Sequence, residues 1–246
     1  MGFSVHAWLK PIALTAVAVA LAPSLLGAGE TYKAPYVVSG NQHIIVGITL
    51  DEAAVRAALP EGLKPTKNIS GGLNVYTSKG GGTVPAYTRS YVWADVEGYD
   101  SINGTKGRFI LWVATNPGAG KLGAIGYDEV KGDTKLMRDG KDLTGSTMVD
   151  GKEVMKVAIK LGDDPCGPAM GTLNYPSLPS TAKSMVMTQY AFTGSICGAT
   201  AVSADISVGN NHPLAKFKPT AMVWAAFAED LSFSGSPQIP IKMAGN

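Results

Sequence analysis

The feature that most constrains the fold is a three-part meander over residues 135–137, 143–148 and 154–161, along which apolar and polar side chains alternate. Alternation at period two puts one face of a strand in a core and the other in water. The breaks fall at Asp139-Gly140 and Asp150-Gly151, dipeptides suited to tight hairpin turns. Similar segments recur. Residues 37–50 hold a strand rich in β-branched side chains, 73–77 are strand-like, 87–96 alternate, and 109–114 form a continuous apolar run that suits a buried strand. Residues 185–193, 199–206 and 221–233 are further apolar segments, the last readable as strand or helix because of its alanine-rich middle. Only residues 51–59 change to helical spacing, with Val55, Ala58 and Leu59 on one face, Thr49 or Asp51 as the cap, and Pro60 and Gly62 at the exit. Many short strands and one clear helix predict a mainly β, β-rich α+β fold. An antiparallel sheet closed on itself as a barrel would leave no long exposed edges.

The 246 residues fit a leader over 1–29 and a single domain over 30–246. Lys10 precedes an apolar stretch at 12–22, and Leu25-Leu26-Gly27-Ala28-Gly29 offers small residues for cleavage near Ala28 or Gly29. Pro11, Pro23 and that exit favour a cleaved signal peptide over a membrane anchor, which needs about 20 apolar residues. The expected location is therefore exported, periplasmic or secreted. The 30 glycines and 15 prolines are spread along the chain as punctuation, without an internal repeat. A net charge of +2 with dispersed Lys and Arg gives no stripe for phosphates, so nucleic acid is not an expected partner.

Cys166 and Cys197 both lie in the mature part. In an oxidising compartment they suggest one disulfide closing a loop of about 30 residues, with two buried free thiols as the alternative. His6, His43 and His212 are too scattered for a metal site, and neither metal nor cofactor is expected. A structural role is the expectation for His43 and His212. Gly80-Gly81-Gly82 reads as a turn, since no helix with Lys-Ser/Thr follows it, and no G-x-S-x-G is present. Asn68-Ile69-Ser70 and Asn103-Gly104-Thr105 are glycosylation acceptors only in a host that glycosylates. Tyr87, Tyr91, Trp93, Trp112 and Tyr127 can fill a core or line a cavity for a hydrophobic ligand.

Several stretches resemble, in order, the acetoacetate decarboxylase superfamily. They are the helix and its exit at 51–63 (DEAAVRAALPEGL), Val75-Tyr76, the strand opening at Tyr87, Gly126-Tyr127 with the meander to Leu161, 174–179 (NYPSLP), His212-Pro213-Leu214, and 229–235 (EDLSFSG). The likeness runs from about Val37 to Ile239. It implies a large cone-shaped β-barrel around an interior cavity, usually assembled into oligomers.

In that superfamily a lysine amine forms a Schiff base with a ketone, its pKa lowered by desolvation and a neighbouring lysine. The motif is Gly, aromatic, Pro, Lys, Lys. The similar run here is Gly126-Tyr127-Asp128-Glu129-Val130, so Glu129 and Val130 stand where the lysines would be. A glutamate two residues after a tyrosine on an earlier strand is matched by Tyr87-Thr88-Arg89. These opposite swaps imply an ion pair, Arg89 with Glu129, facing the cavity. Lys121 and Lys131 are the nearest alternative lysines, and both read as surface residues.

The resemblance implies an enzyme acting on a small carbonyl or carboxylate compound as a lyase, isomerase or hydratase. Glu129 would be its acid or base, and Arg89 the anchor of a substrate carboxylate, with Tyr127 and Tyr87 beside it. The alternative is a non-catalytic binding protein for an apolar or carboxylated molecule. A decarboxylase using an unaligned lysine ranks third.

Overall fold

The structure is a computed structural model that describes residues 34–82, 84–116, 129–178 and 184–241. The expected leader, Lys121, Tyr127 and Asp128 lie outside the described residues. Twelve strands follow in chain order: β1 (Tyr36–Thr49), β2 (Ser70–Ser78), β3 (Tyr87–Val96), β4 (Gly107–Thr115), β5 (Val130–Lys131), β6 (Asp133–Asp139), β7 (Asp142–Val149), β8 (Lys152–Leu161), β9 (Gly167–Ser177), β10 (Val186–Asp205), β11 (Ala221–Gly235) and β12 (Ile239–Pro240). A short helix α1 (Glu52–Ala58) follows β1, and a 3-10 turn (Pro213–Phe217) precedes β11. The mainly β expectation is met.

The strands form one sheet in the order β5-β4-β3-β2-β1-β11-β10-β8-β7-β6, with β9 and β12 also pairing β10. Closure into a barrel is not met: among the described residues no ladder joins the β5–β4 end to β6. The sheet curls instead, so that β6 packs across β2 and β3. There the Thr134 amide donates to Thr88 Oγ1 at 3.0 Å, a side-chain bond where a closed barrel would need a ladder. Nor is the sheet wholly antiparallel, since β4 and β5 run parallel.

Local chemistry explains the elements. Asp51 caps α1 by accepting from the Ala54 amide at 2.8 Å, and Val55 is its buried contact. Asp150 and Gly151 form the β7–β8 turn, both at positive φ, as the mirror-type turns that match strand twist require. Segment 221–233 resolves as strand because β11 lies between β1 and β10 and satisfies its backbone on both sides. Strand β10 has 20 residues and changes neighbours along its length, pairing β9 through its first half and β8 through its second.

Strands β1 to β4 separate two interiors. On one face Ile44, Val46, Ile48, Leu73, Val75 and Val92 pack with Met155, Val157 and Ile159 of β8 into an aliphatic core. On the other, Tyr76, Tyr87, Tyr91 and Trp93 meet Tyr36, Tyr175 and Tyr190 in an aromatic cluster. The meander lysines Lys135, Lys141, Lys152, Lys156 and Lys160 point outward, as expected, and Lys131 is exposed. The Cys166–Cys197 disulfide forms, spanning 31 residues and tying the entry of β9 to β10. Loop closure of that length is worth about 3–4 kcal/mol in the chain-entropy picture.

Candidate functional site

The aromatic face does not fill its own interior. It leaves a cavity of about 340 Å³, near the lower end of the roughly 300–1,000 Å³ typical of small-molecule sites. Period-two geometry decides which side chains reach it. His43 and Ile45 of β1, Asn74 and Tyr76 of β2, Arg89 and Tyr91 of β3, and Arg108 and Ile110 of β4 alternate inward. On β11 the small side chains of Ala226 and Ala228 leave space. An irregularity, with Asp230 at positive φ, then shifts the inward parity so that Leu231 and Phe233 also face in. The far wall is Tyr175 of β9 with Tyr190 and Phe192 of β10.

Arg89 and Glu129 are brought together. Arg89 Nη2 donates to Glu129 Oε1 at 2.6 Å, and Arg89 Nε donates to Thr115 Oγ1 at 2.9 Å. The side chains of Arg89 and Glu129 are only 3% and 10% exposed. Burial is the largest influence and works against the guanidinium charge, yet the Glu129 carboxylate together with Tyr76, Tyr87 and Tyr190 outweighs it and holds the Arg89 pKa well above its ordinary value. Arg89 lines the cavity and Glu129 does not. Tyr87 stands one layer back, 5.8 Å under the Arg89 guanidinium and bonded at 3.3 Å to the Tyr76 hydroxyl. Burial pushes the Tyr87 pKa up to about 12.

Of the other sequence candidates, Tyr91 lines the cavity, whereas Trp112 belongs to the aliphatic side, edge-on to His212. His212 is structural as expected, its Nδ1 accepting from the Leu214 amide. Cys166, Cys197 and Glu229 converge, but both sulfurs are committed to the disulfide and leave no thiolate pair for a metal.

Sequence reasoning missed most of the polar lining. His43 stacks on Tyr76 with ring centroids 4.3 Å apart, and its Nδ1 lies 3.2 Å from the Asn74 amide oxygen. Burial lowers its pKa to about 4, so it is neutral near pH 7. Asn74 Nδ2 donates to the Tyr91 hydroxyl at 2.8 Å, which lies 3.1 Å from the Tyr175 hydroxyl. Tyr175 in turn bonds the Arg108 side chain. Tyr36 and Tyr190 pair their hydroxyls at 2.8 Å. Burial raises Tyr36 to about 12 and Tyr190 well above its ordinary value. Among the described residues no lysine lines the cavity.

No protein family and no curated protein matches the chain by sequence. Solved structures match strongly. Acetoacetate decarboxylase from Legionella pneumophila superposes with a TM-score of 0.67 at 15% identity, over 90% of this chain and 92% of that one. The enduracididine biosynthesis enzyme MppR, complexed with pyruvate, gives 0.64 at 11% identity over 86% and 92%. An acetoacetate decarboxylase-like enzyme from Sphingomonas wittichii RW1 gives 0.60 at 14% identity over 92% and 100%. The chain therefore has the acetoacetate decarboxylase-like fold, as the sequence resemblance implied.

Proposed function

We propose that this chain is an exported small-molecule protein whose cavity binds a compact, largely apolar compound bearing a carboxylate or carbonyl, without Schiff-base chemistry. One observation carries the reading: a partly open aromatic cavity whose ionisable lining is quiet near pH 7. His43 is neutral, Tyr36 and Tyr190 keep their protons, and Arg89 is already neutralised by Glu129. Such a wall holds a ligand but offers it no acid or base poised near neutrality. Glu129 and Val130 occupy the positions of the lysine pair in the resemblance, which argues against an iminium. The disulfide supports an oxidising compartment, and among the described residues no helix is long and apolar enough to cross a membrane.

A second reading is a lyase, isomerase or hydratase in which Glu129 moves a proton and Arg89 orients the substrate. Its support is that the solved proteins of this fold include enzymes, one of them holding pyruvate. Glu129→Gln separates the two. In the binding protein it lowers stability and changes affinity for a small 2-oxo acid such as pyruvate, with no turnover to lose. In the enzyme it abolishes turnover while binding persists. Borohydride treatment with acetoacetate should leave the intact mass unchanged, and a trapped adduct would revive the third reading, a decarboxylase using an unaligned lysine.

A further inference from the structure

The cavity contains two arginines with opposite circumstances. Arg89 spends its charge on Glu129 and its Nε on Thr115. Arg108 lines the same cavity, yet among the described residues it forms no ion pair. Its guanidinium lies over the Trp93 ring, 4.6 Å from the centroid, and its side chain bonds Tyr175. Its Nε is shielded from solvent and has no hydrogen-bond partner. Asp95, opposite Arg108 in the β3–β4 register, accepts instead from Trp93 Nε1 at 3.0 Å.

This placement is built into the sheet. Gly72 lies under the Trp93 indole, where a Cβ would sit 2.0 Å from the ring. The missing side chain lets Trp93 lie flat across β2 as the platform for Arg108. Tyr175 is held by the Tyr91 hydroxyl, and Tyr91 by Asn74, which meets His43. Arg108 thus ends a hydrogen-bonded chain of fixed side chains. At the other end of the chain, His43 Nε2 is also buried without a partner.

A shielded donor left unpaired costs about 1–3 kcal/mol, more when charged, and a guanidinium matches a carboxylate with two parallel hydrogen bonds. An aromatic platform holds the fork flat and pre-ordered. Around it the wall is Ile110, Leu173, Tyr91 and Tyr175, which suits a planar apolar body.

From these contacts we infer that Arg108, not Arg89, is the anion anchor of the cavity, and that the ligand is a small aromatic or conjugated monocarboxylate seated between Arg108 and the aromatic wall. The inference rests on the cavity-binding reading above and specifies its ligand class. It reassigns the anchoring role that the sequence expectation gave to Arg89, because Arg89 is the charge already met.

The test uses the mature protein, phenylacetate, benzoate and cinnamate, and the methyl ester of each, titrated by tryptophan fluorescence, for which Trp224 in the cavity wall and Trp93 under Arg108 are the local reporters. The acids should bind at least tenfold tighter than their esters. Arg108→Gln should erase that preference and leave ester affinity within about twofold. Arg108→Lys, which keeps the charge but loses the fork, should fall between them, and it preserves the comparison should Arg108→Gln unfold. Equal binding of acids and esters overturns the anchor, as does a preference that survives Arg108→Gln. A wild-type protein that binds neither acids nor esters overturns the cavity-binding reading itself, and the anchor with it.

Discussion

Strands β1 to β4 present two faces that share a backbone and little else. Ile44, Val46, Leu73, Val75 and Val92 point one way into an aliphatic core filled by β8. His43, Asn74, Tyr76, Arg89 and Tyr91 point the other way into an aromatic chamber that stays partly open. One residue of register separates each pair, so a slip would exchange core and chamber. The aliphatic face fixes the sheet by apolar burial that needs no partner geometry. On the chamber face each buried polar tip has to be met by another, and those that are not met mark where a ligand is received. Stability and recognition are thus divided between the two sides of one sheet.

The sharpest way to break this division is to remove the one charge that makes the chamber face affordable. Glu129→Ala leaves Arg89 buried without its partner and should cost about 3–5 kcal/mol in urea unfolding. Arg89→Met combined with Glu129→Ala should recover most of that loss. A cost below about 1 kcal/mol for the single change would mean that water reaches Arg89 and that the pair is not an interior feature.

The next largest effect tests the opposite face. Leu73→Ala deletes a fully buried side chain and should cost on the order of 3–4 kcal/mol. Affinity for an aromatic acid should stay within about twofold under conditions where the variant is folded. A large affinity loss in that folded variant would show that the two faces are coupled and that their separation here is too clean.

A pH titration sharpens the comparison from the chamber side. In the unfolded chain His43 takes a proton near the ordinary value of 6.5, whereas burial holds it neutral in the folded protein until about pH 4. Its contribution is constant above pH 6.5. As pH falls from 6.5 to 4 the unfolded chain gains the proton first, and up to about 3 kcal/mol of stability is lost. His43→Gln should flatten that part of the urea midpoint profile. An unchanged acid limb would place the titrating group elsewhere.

Much of this organisation was legible in the sequence where the signal is local. The ends of β3 and the helix with its Asp51 cap follow from alternation and from capping chemistry. The Arg89–Glu129 pair was legible from two opposite charge swaps against a known motif, and the disulfide from an even cysteine count. Strand β9 was not. Its Gly-Pro-rich run, with Pro168 and Pro176, does not alternate, and it survives as a strand because it is an edge that pairs only β10. Strand β10 reads as two segments because Gly194 and Gly198 interrupt it, while the structure carries one strand through a register shift. The chamber's polar chain was hidden for a different reason. His43 and Asn74 are 31 positions apart, Tyr91 and Tyr175 are 84, and only the assembled ladders bring them together. Closure failed as an expectation because alternation specifies a face, not the edge that a terminal strand will meet.

The smallest effect probes the hydroxyl pairing of the chamber. Tyr190→Phe keeps the ring and removes one end of the 2.8 Å bond to Tyr36. A typical net hydrogen bond is worth about 1 kcal/mol, and the Tyr36 hydroxyl, itself buried, would be left unmet. The unfolding free energy should therefore fall by that amount, whereas Val92→Ile on the aliphatic face tests packing alone. If Tyr190→Phe is neutral, the hydroxyls serve the ligand rather than the fold. Its effect should then reappear as a loss of affinity for the acid and its ester alike, since this pair is separate from the hydrogen-bonded chain that ends at Arg108.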